Sequence, residues 1–189
     1  MAATFTAIDS FGAVEVTADN SEAYPSNDLG RALSTAARVI RGNVGVEVIT
    51  VDQGDWDMHS GAGGPDGGWM STNVRDLADS ITAFLGDLGS QAPKVTLVTL
   101  SEFGRRAQEN DNYGTDHGYG NVMFVAGAGV RGGYHGRWPG LGNSYDSDVT
   151  VTTDYRQVLA DIVQVRFGAS MPKVFPGLRR KSTGCMIGI

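Results

Sequence analysis

The chain has a single cysteine, Cys185, so no intramolecular disulfide can form and no cysteine-rich zinc site is available. No apolar run approaches the roughly 18 residues that a membrane-spanning helix needs. Basic residues are in the minority: 15 lysines and arginines against 21 acids give a net charge of −6, which argues against a general affinity for nucleic acid or an anionic membrane. Residues 1–10 carry neither the basic nor the apolar stretch of an export signal. Disorder is excluded as well, because 41% hydrophobic and 19% charged residues fall within the globular range.

Glycine is abundant instead, at 27 of 189 residues, about twice the usual 7%, and it is scattered through loops without a period. The length predicts one domain over residues 1–189 with a real core, and no repeat or linker divides it. Three β-branched runs bounded by turn residues are predicted as neighbouring buried strands, over residues 45–51, 94–100 and 121–126. Leu29, Leu33, Ala37 and Ile40 recur at helical spacing between Pro25-Ser26-Asn27-Asp28 and Gly42. A second helix is predicted from the stripe Val74, Leu77, Ala78, Ile81, Phe84, Leu85 and Leu88, capped by Ser71 or Thr72 and stopped at Gly89. A strand, a covering helix and a further strand form the crossover unit of a parallel sheet, so the expected class is α/β. A third helix is expected from Thr153 to about Phe167, with Thr153 and Asp154 at its start, while residues 13–17 alternate like an exposed strand.

Two loops, 52–70 and 101–120, leave the C-terminal ends of predicted strands, which is where open α/β sheets bind ligands. The first holds Asp52, Asp55, Asp57 and His59 within eight residues. That density suits a divalent ion, or else a solvated acidic turn. In the second loop, Glu102 follows the strand closely and needs a partner, either a metal or an ion pair with Arg105 or Arg106. Asp116 and His117 sit between glycines just before the third run, and His135 is either a further ligand or an ordinary loop residue. Ser60, Ser71 and Ser101 read as loop, cap and strand-end residues, so no nucleophile is identified. Trp56, Trp69 and Trp138 either line a pocket or anchor loops.

Five motifs in order resemble the bacterial DUF1501 family: Trp56-Asp57-Met58-His59; Ser101-Glu102-Phe103-Gly104-Arg105; Thr115-Asp116-His117-Gly118 with residues 121–125; residues 136–141; and residues 152–156. The similarity runs from about Tyr24 to near Phe167. That family is grouped with the alkaline phosphatase and sulfatase superfamily. The resemblance implies a three-layer α/β/α fold with a mostly parallel sheet and two divalent cations, zinc or manganese, at its C-terminal edge. It places Asp57, His59, Glu102, Asp116 and His117 around the ions, with Asp57, His59 and His117 converging on one of them. Asp55 is the alternative to Asp57, because the superfamily favours an aspartate four residues before the histidine. Phe103 replaces the histidine that usually completes the second ion's ligands beside Glu102.

The superfamily's nucleophile comes from strands nearer the N-terminus, and the family is about twice this length. The resemblance therefore implies that this chain is the C-terminal part of a larger domain, prone to self-association through an open sheet edge. In the alternative, residues 4–8 or 13–17 close the sheet, with Asp9-Ser10 as the nearest candidate for an aspartate and nucleophile pair. An extracytoplasmic origin is implied by export signals common in the family. Two functional expectations follow. One is a metal-dependent hydrolase acting on small-molecule phosphate or sulfate esters; the other is a non-catalytic secreted or envelope-associated binding protein that keeps the scaffold and one metal site.

Overall fold

The computed structural model describes residue 12 and residues 14–188, and the chain falls into two compact units, Met1–Ala92 and Pro93–Ile189. In the first unit, helix α1 spans Asp28–Arg41. Asn27 caps it: the side-chain oxygen accepts the Gly30 amide at 2.7 Å, satisfying one of the donors that a helix start leaves open. Leu29, Leu33, Ala36 and Ala37 form its buried face, and the helix ends at Gly42 as the sequence predicts. Helix α2 spans Trp69–Asp87 and packs against α1, burying Phe84 and Ser80; Leu88, its C-cap, is buried too. It begins before the predicted cap. Gly68, at φ 114°, is the N-cap and offers no side chain, while the Thr72 hydroxyl donates back to the Gly68 carbonyl at 3.1 Å.

A polar cluster closes the far end of this helix pair. Arg41 and Asp87 form an ion pair that is largely out of solvent, and the Asp87 carboxylate also accepts from Tyr24 Oη at 2.8 Å and Asn20 Nδ2 at 2.5 Å. Arg38 donates to the carbonyls of Val14, Glu15 and Thr17, tying the preceding segment to α1. That segment is not the predicted strand. Residues 12, 14 and 15 are helical, and the amides of Val16 and Thr17 bond back to Gly12 and Val14. Residues 4–8 and Asp9-Ser10 lie outside the described residues.

The second unit is built on α3, Tyr155–Phe167, which starts at Asp154 and runs to Phe167 as the sequence reading expects, and is closed by Gly168 in the left-handed conformation, φ 59°. Its Ile162 forms a core with Cys185 and Met186, against which Val98, Val125, Val130, Val158 and Val165 pack. Strand β1, Thr96–Val98, pairs with β4, Val125–Gly127, so that Leu97 faces Ala126. Between them β2, Gly104–Arg105, pairs with β3, His117–Gly118. A short helix, α4, covers Met171–Val174, and Met186 bridges to Val130 as the chain returns over the core.

The sheet corrects the expected fold class. Both ladders are antiparallel and two-stranded, so this is neither a mostly parallel sheet nor a three-layer α/β/α arrangement. Two physical causes account for it. The run 45–51 finds no ladder partner among the described residues and leaves Val46, Val48 and Ile49 exposed, so the predicted crossover has no first strand. The connection from β1 to β4 carries no helix, and without a crossover helix the returning strand lies antiparallel. No helix among the described residues is long and apolar enough to cross a membrane.

Candidate metal centre

In the first unit, the loop before α2 buries one side chain between two candidate ligands. Met58 is 5% exposed while its neighbours on either side, Asp57 and His59, are exposed, and the Met58 amide donates to the Trp56 carbonyl to close a tight turn centred on Asp57. Asp57 Oδ1 and His59 Nε2 are 3.0 Å apart, and both side chains reach solvent. The backbone turns at Asp55, whose φ of 63° is left-handed, a conformation that aspartate tolerates better than most residues. The Asp55 carbonyl accepts a 2.7 Å hydrogen bond from Asn73 Nδ2 in α2. Asp52 and Asp55 are exposed.

The donor chemistry of this pair fits a divalent ion. Two ligand atoms at about 2.0–2.2 Å from zinc in tetrahedral array lie about 3.3–3.6 Å apart, so the observed 3.0 Å is a hydrogen-bond separation that must open by a few tenths of an ångström to admit an ion. A carboxylate and an imidazole are borderline donors that suit zinc or manganese.

In the second unit, His117 lies on β3 and its ring stacks on Phe103, with centroids 4.1 Å apart and planes 11° from parallel. The Arg105 guanidinium lies 4.8 Å from the centre of the same Phe103 ring. Gly104 lets the strands come this close: a Cβ there would meet the Tyr119 carbonyl carbon at 2.3 Å. Asp116 Oδ1 accepts from Asn110 Nδ2 at 3.0 Å, and its carbonyl accepts the Arg106 amide. Glu102 is exposed and pairs with neither candidate arginine: Arg105 donates to the Thr115 carbonyl and Arg106 pairs with Asp146 at 2.5 Å.

His135 Nε2 donates to the Arg131 carbonyl at 2.7 Å. Asp154, in the motif at 152–156, caps α3. Its carboxyl is held below the usual range first by the hydrogen bonds from the Arg156 side chain and then by the Arg156 amide. Ser101 closes a turn onto the Phe103 carbonyl, Ser71 lies inside α2 and Ser60 is an exposed loop residue. Trp69 opens α2 at 64% exposure and Trp138 is 71% exposed, so neither is a packed anchor. An open cleft of about 650 Å³, lined in part by Asp19, Glu22, Gly86 and Asp87, contains none of the candidate ligands.

Two contributors escaped the sequence reading. Asn73 stands beside the apolar stripe of a helix, although an asparagine in a helix interior is itself a signal, since its amide prefers other partners to the helix. The Phe103–His117 stack has no local signature, because fourteen residues separate the rings in sequence.

No curated protein and no solved structure is significantly similar to the chain. One family profile, described as a protein of unknown function (DUF1501), matches residues 12–166. This span covers most of the chain and holds all five motifs, and on that match the chain belongs to the DUF1501 family.

Proposed function

We propose that the protein is a metal-dependent hydrolase-like domain acting on phosphate or sulfate esters, as in the alkaline phosphatase and sulfatase superfamily. The observation that carries this reading is the outward pair Asp57 and His59, 3.0 Å apart at the spacing the family motif prescribes. In the proposed centre these two side chains hold a zinc or manganese ion, and the sequence motifs add His117, Asp116 and Glu102 to the ligand set, with His135 and Asp55 in reserve. A bound divalent ion would polarise the ester and neutralise charge developing on its oxygens. Asp57 would contribute negative charge that tightens the site.

A second reading, a secreted or envelope-associated binding protein without turnover, is favoured by one specific observation. On the family resemblance Phe103 stands where the superfamily carries its second-site histidine, and its ring stacks on His117. Metal-loaded protein assayed on an aryl phosphate, a phosphodiester and an aryl sulfate separates the two. The first reading expects turnover that Asp57→Ala and His117→Ala abolish; metal binding without turnover supports the second reading.

A further inference from the structure

Asn73 sits in the first turns of α2 at 8% exposure, and its amide serves the loop opposite rather than its own helix. Its Nδ2 donates to the Asp55 carbonyl at 2.7 Å and reaches the Gly54 carbonyl at 3.5 Å. Both partners are acceptors, which fixes the orientation of the amide. The loop answers in kind, with Gln53 Nε2 donating to the Asn73 carbonyl at 3.3 Å. The clamp therefore grips residues 53–55 from both sides, at the point where Asp55 turns through its left-handed φ of 63°. From that turn the chain runs directly through Asp57 to His59. Met58 donates its amide to the Trp56 carbonyl at 3.0 Å, which closes a tight turn with Asp57 at its centre.

We propose that Asn73 is a positioning residue for the Asp57–His59 pair, and that it sets the affinity of that pair for a divalent cation. The proposal rests on the metal-centre reading. An uncharged buried amide is suited to this role because it fixes the carbonyl of Asp55 without adding a charge that would compete with the ligands. Groups hydrogen-bonded to the ligands themselves are worth about 10–100-fold in metal affinity, and because Asn73 reaches the pair through the Asp55 backbone the low end, about 10-fold, is expected of it.

The test uses the full chain and two readouts, zinc affinity by calorimetry and hydrogen exchange at the Met58 amide. Asn73→Asp keeps the size of the side chain but turns an acceptor toward two carbonyls. It is expected to weaken zinc binding by about 10-fold and to speed Met58 exchange, while exchange through residues 77–87 stays at the wild-type rate. Gln53→Ala, which removes the other half of the clamp, is expected to act in the same direction and carries the test if Asn73→Asp does not fold. Thr82→Ala, on the same helix but bonded only to the Ala78 carbonyl, is the control and should leave both readouts unchanged. Wild-type zinc affinity and Met58 exchange in both clamp variants would overturn the proposal. If the wild type binds no zinc, the metal-centre reading fails by itself, and Met58 exchange alone decides whether Asn73 orders the loop.

Discussion

Thr183 places two hydrogen bonds on one oxygen of Asp161, from its amide at 2.7 Å and its hydroxyl at 2.8 Å, and the carboxylate has no exposure to solvent. Ser182 Oγ at 3.2 Å and Arg180 at 3.1 Å complete its partners. A helix residue thereby gathers the returning segment that carries Cys185 and Met186 into the core.

Asp161→Ala is expected to destabilise the second unit by about 3 kcal/mol. Removing one member of a buried pair costs about 3–5 kcal/mol, and the low end applies because Arg180 keeps some contact with water. Asp161→Asn, which keeps the shape and loses the charge, should cost about 2 kcal/mol. Urea denaturation of the three proteins measures both; a loss below about 1 kcal/mol for alanine would show that the segment is held by apolar packing alone.

The cluster at Asp87 predicts losses of stability at both ends of the pH scale. Burial raises the pKa of Asp87, but hydrogen bonds from Asn20, Tyr24 and Arg41, with the charge of Arg41, outweigh it and hold the carboxyl below its usual value. Its contribution is therefore complete above the unfolded value of about 3.9 and is lost as pH falls through the folded pKa. Tyr24 moves upward, first through burial and then through its bond to Asp87. That contribution is complete below about pH 10 and fades as pH rises past it. Urea midpoints followed from strongly acidic to strongly alkaline pH should fall at both ends, with Asp87→Asn flattening the acid limb and Tyr24→Phe the alkaline one.

The helices were legible because their signals are local. Asn27 and Gly42 bracket α1, and Asp154 and Gly168 bracket α3, within the residues they terminate. α2 began earlier than expected because its cap is Gly68, which makes no side-chain bond. The strands were not legible, since residues 45–51 and 94–100 look alike in composition yet only the second finds a partner, and pairing is decided at a distance. In the candidate site, Asp57 and His59 stood out by type and spacing. Asn73 did not, because its partners are backbone carbonyls about twenty residues away.

Two helix glycines should respond oppositely to alanine. At Gly30 in α1, a Cβ would lie 2.1 Å from the Pro25 carbonyl oxygen, so Gly30→Ala must displace backbone beside the Asn27 cap. A loss of about 1–3 kcal/mol is expected. At Gly86 in α2 a Cβ meets nothing within 4 Å, so Gly86→Ala gains helix propensity and should stabilise by about 0.5–1 kcal/mol. Thermal melts decide it; a stabilised Gly30→Ala would show that the Pro25 turn yields freely.

The unpaired apolar segment gives the final prediction. Val48 is 73% exposed, with Val46 at 48% and Ile49 at 40%, in a stretch that belongs to no ladder. A side chain already in water loses little burial when replaced, so Val48→Lys should shift stability by no more than about 0.5 kcal/mol. In the buried strand that the sequence pattern predicted, the same change would place an unpaired charge in a core and cost several kcal/mol. The two placements are thus separated by one denaturation curve. The segment also keeps the residues that favour strand addition, β-branched and free of proline, and it joins no ladder among the described residues. If copies of the protein associate through it, a lysine in its centre opposes them by like-charge repulsion and by interrupting the apolar row. Sedimentation equilibrium should then show a lower average mass for Val48→Lys than for wild type at equal concentration. Equal masses would place any association elsewhere on the surface.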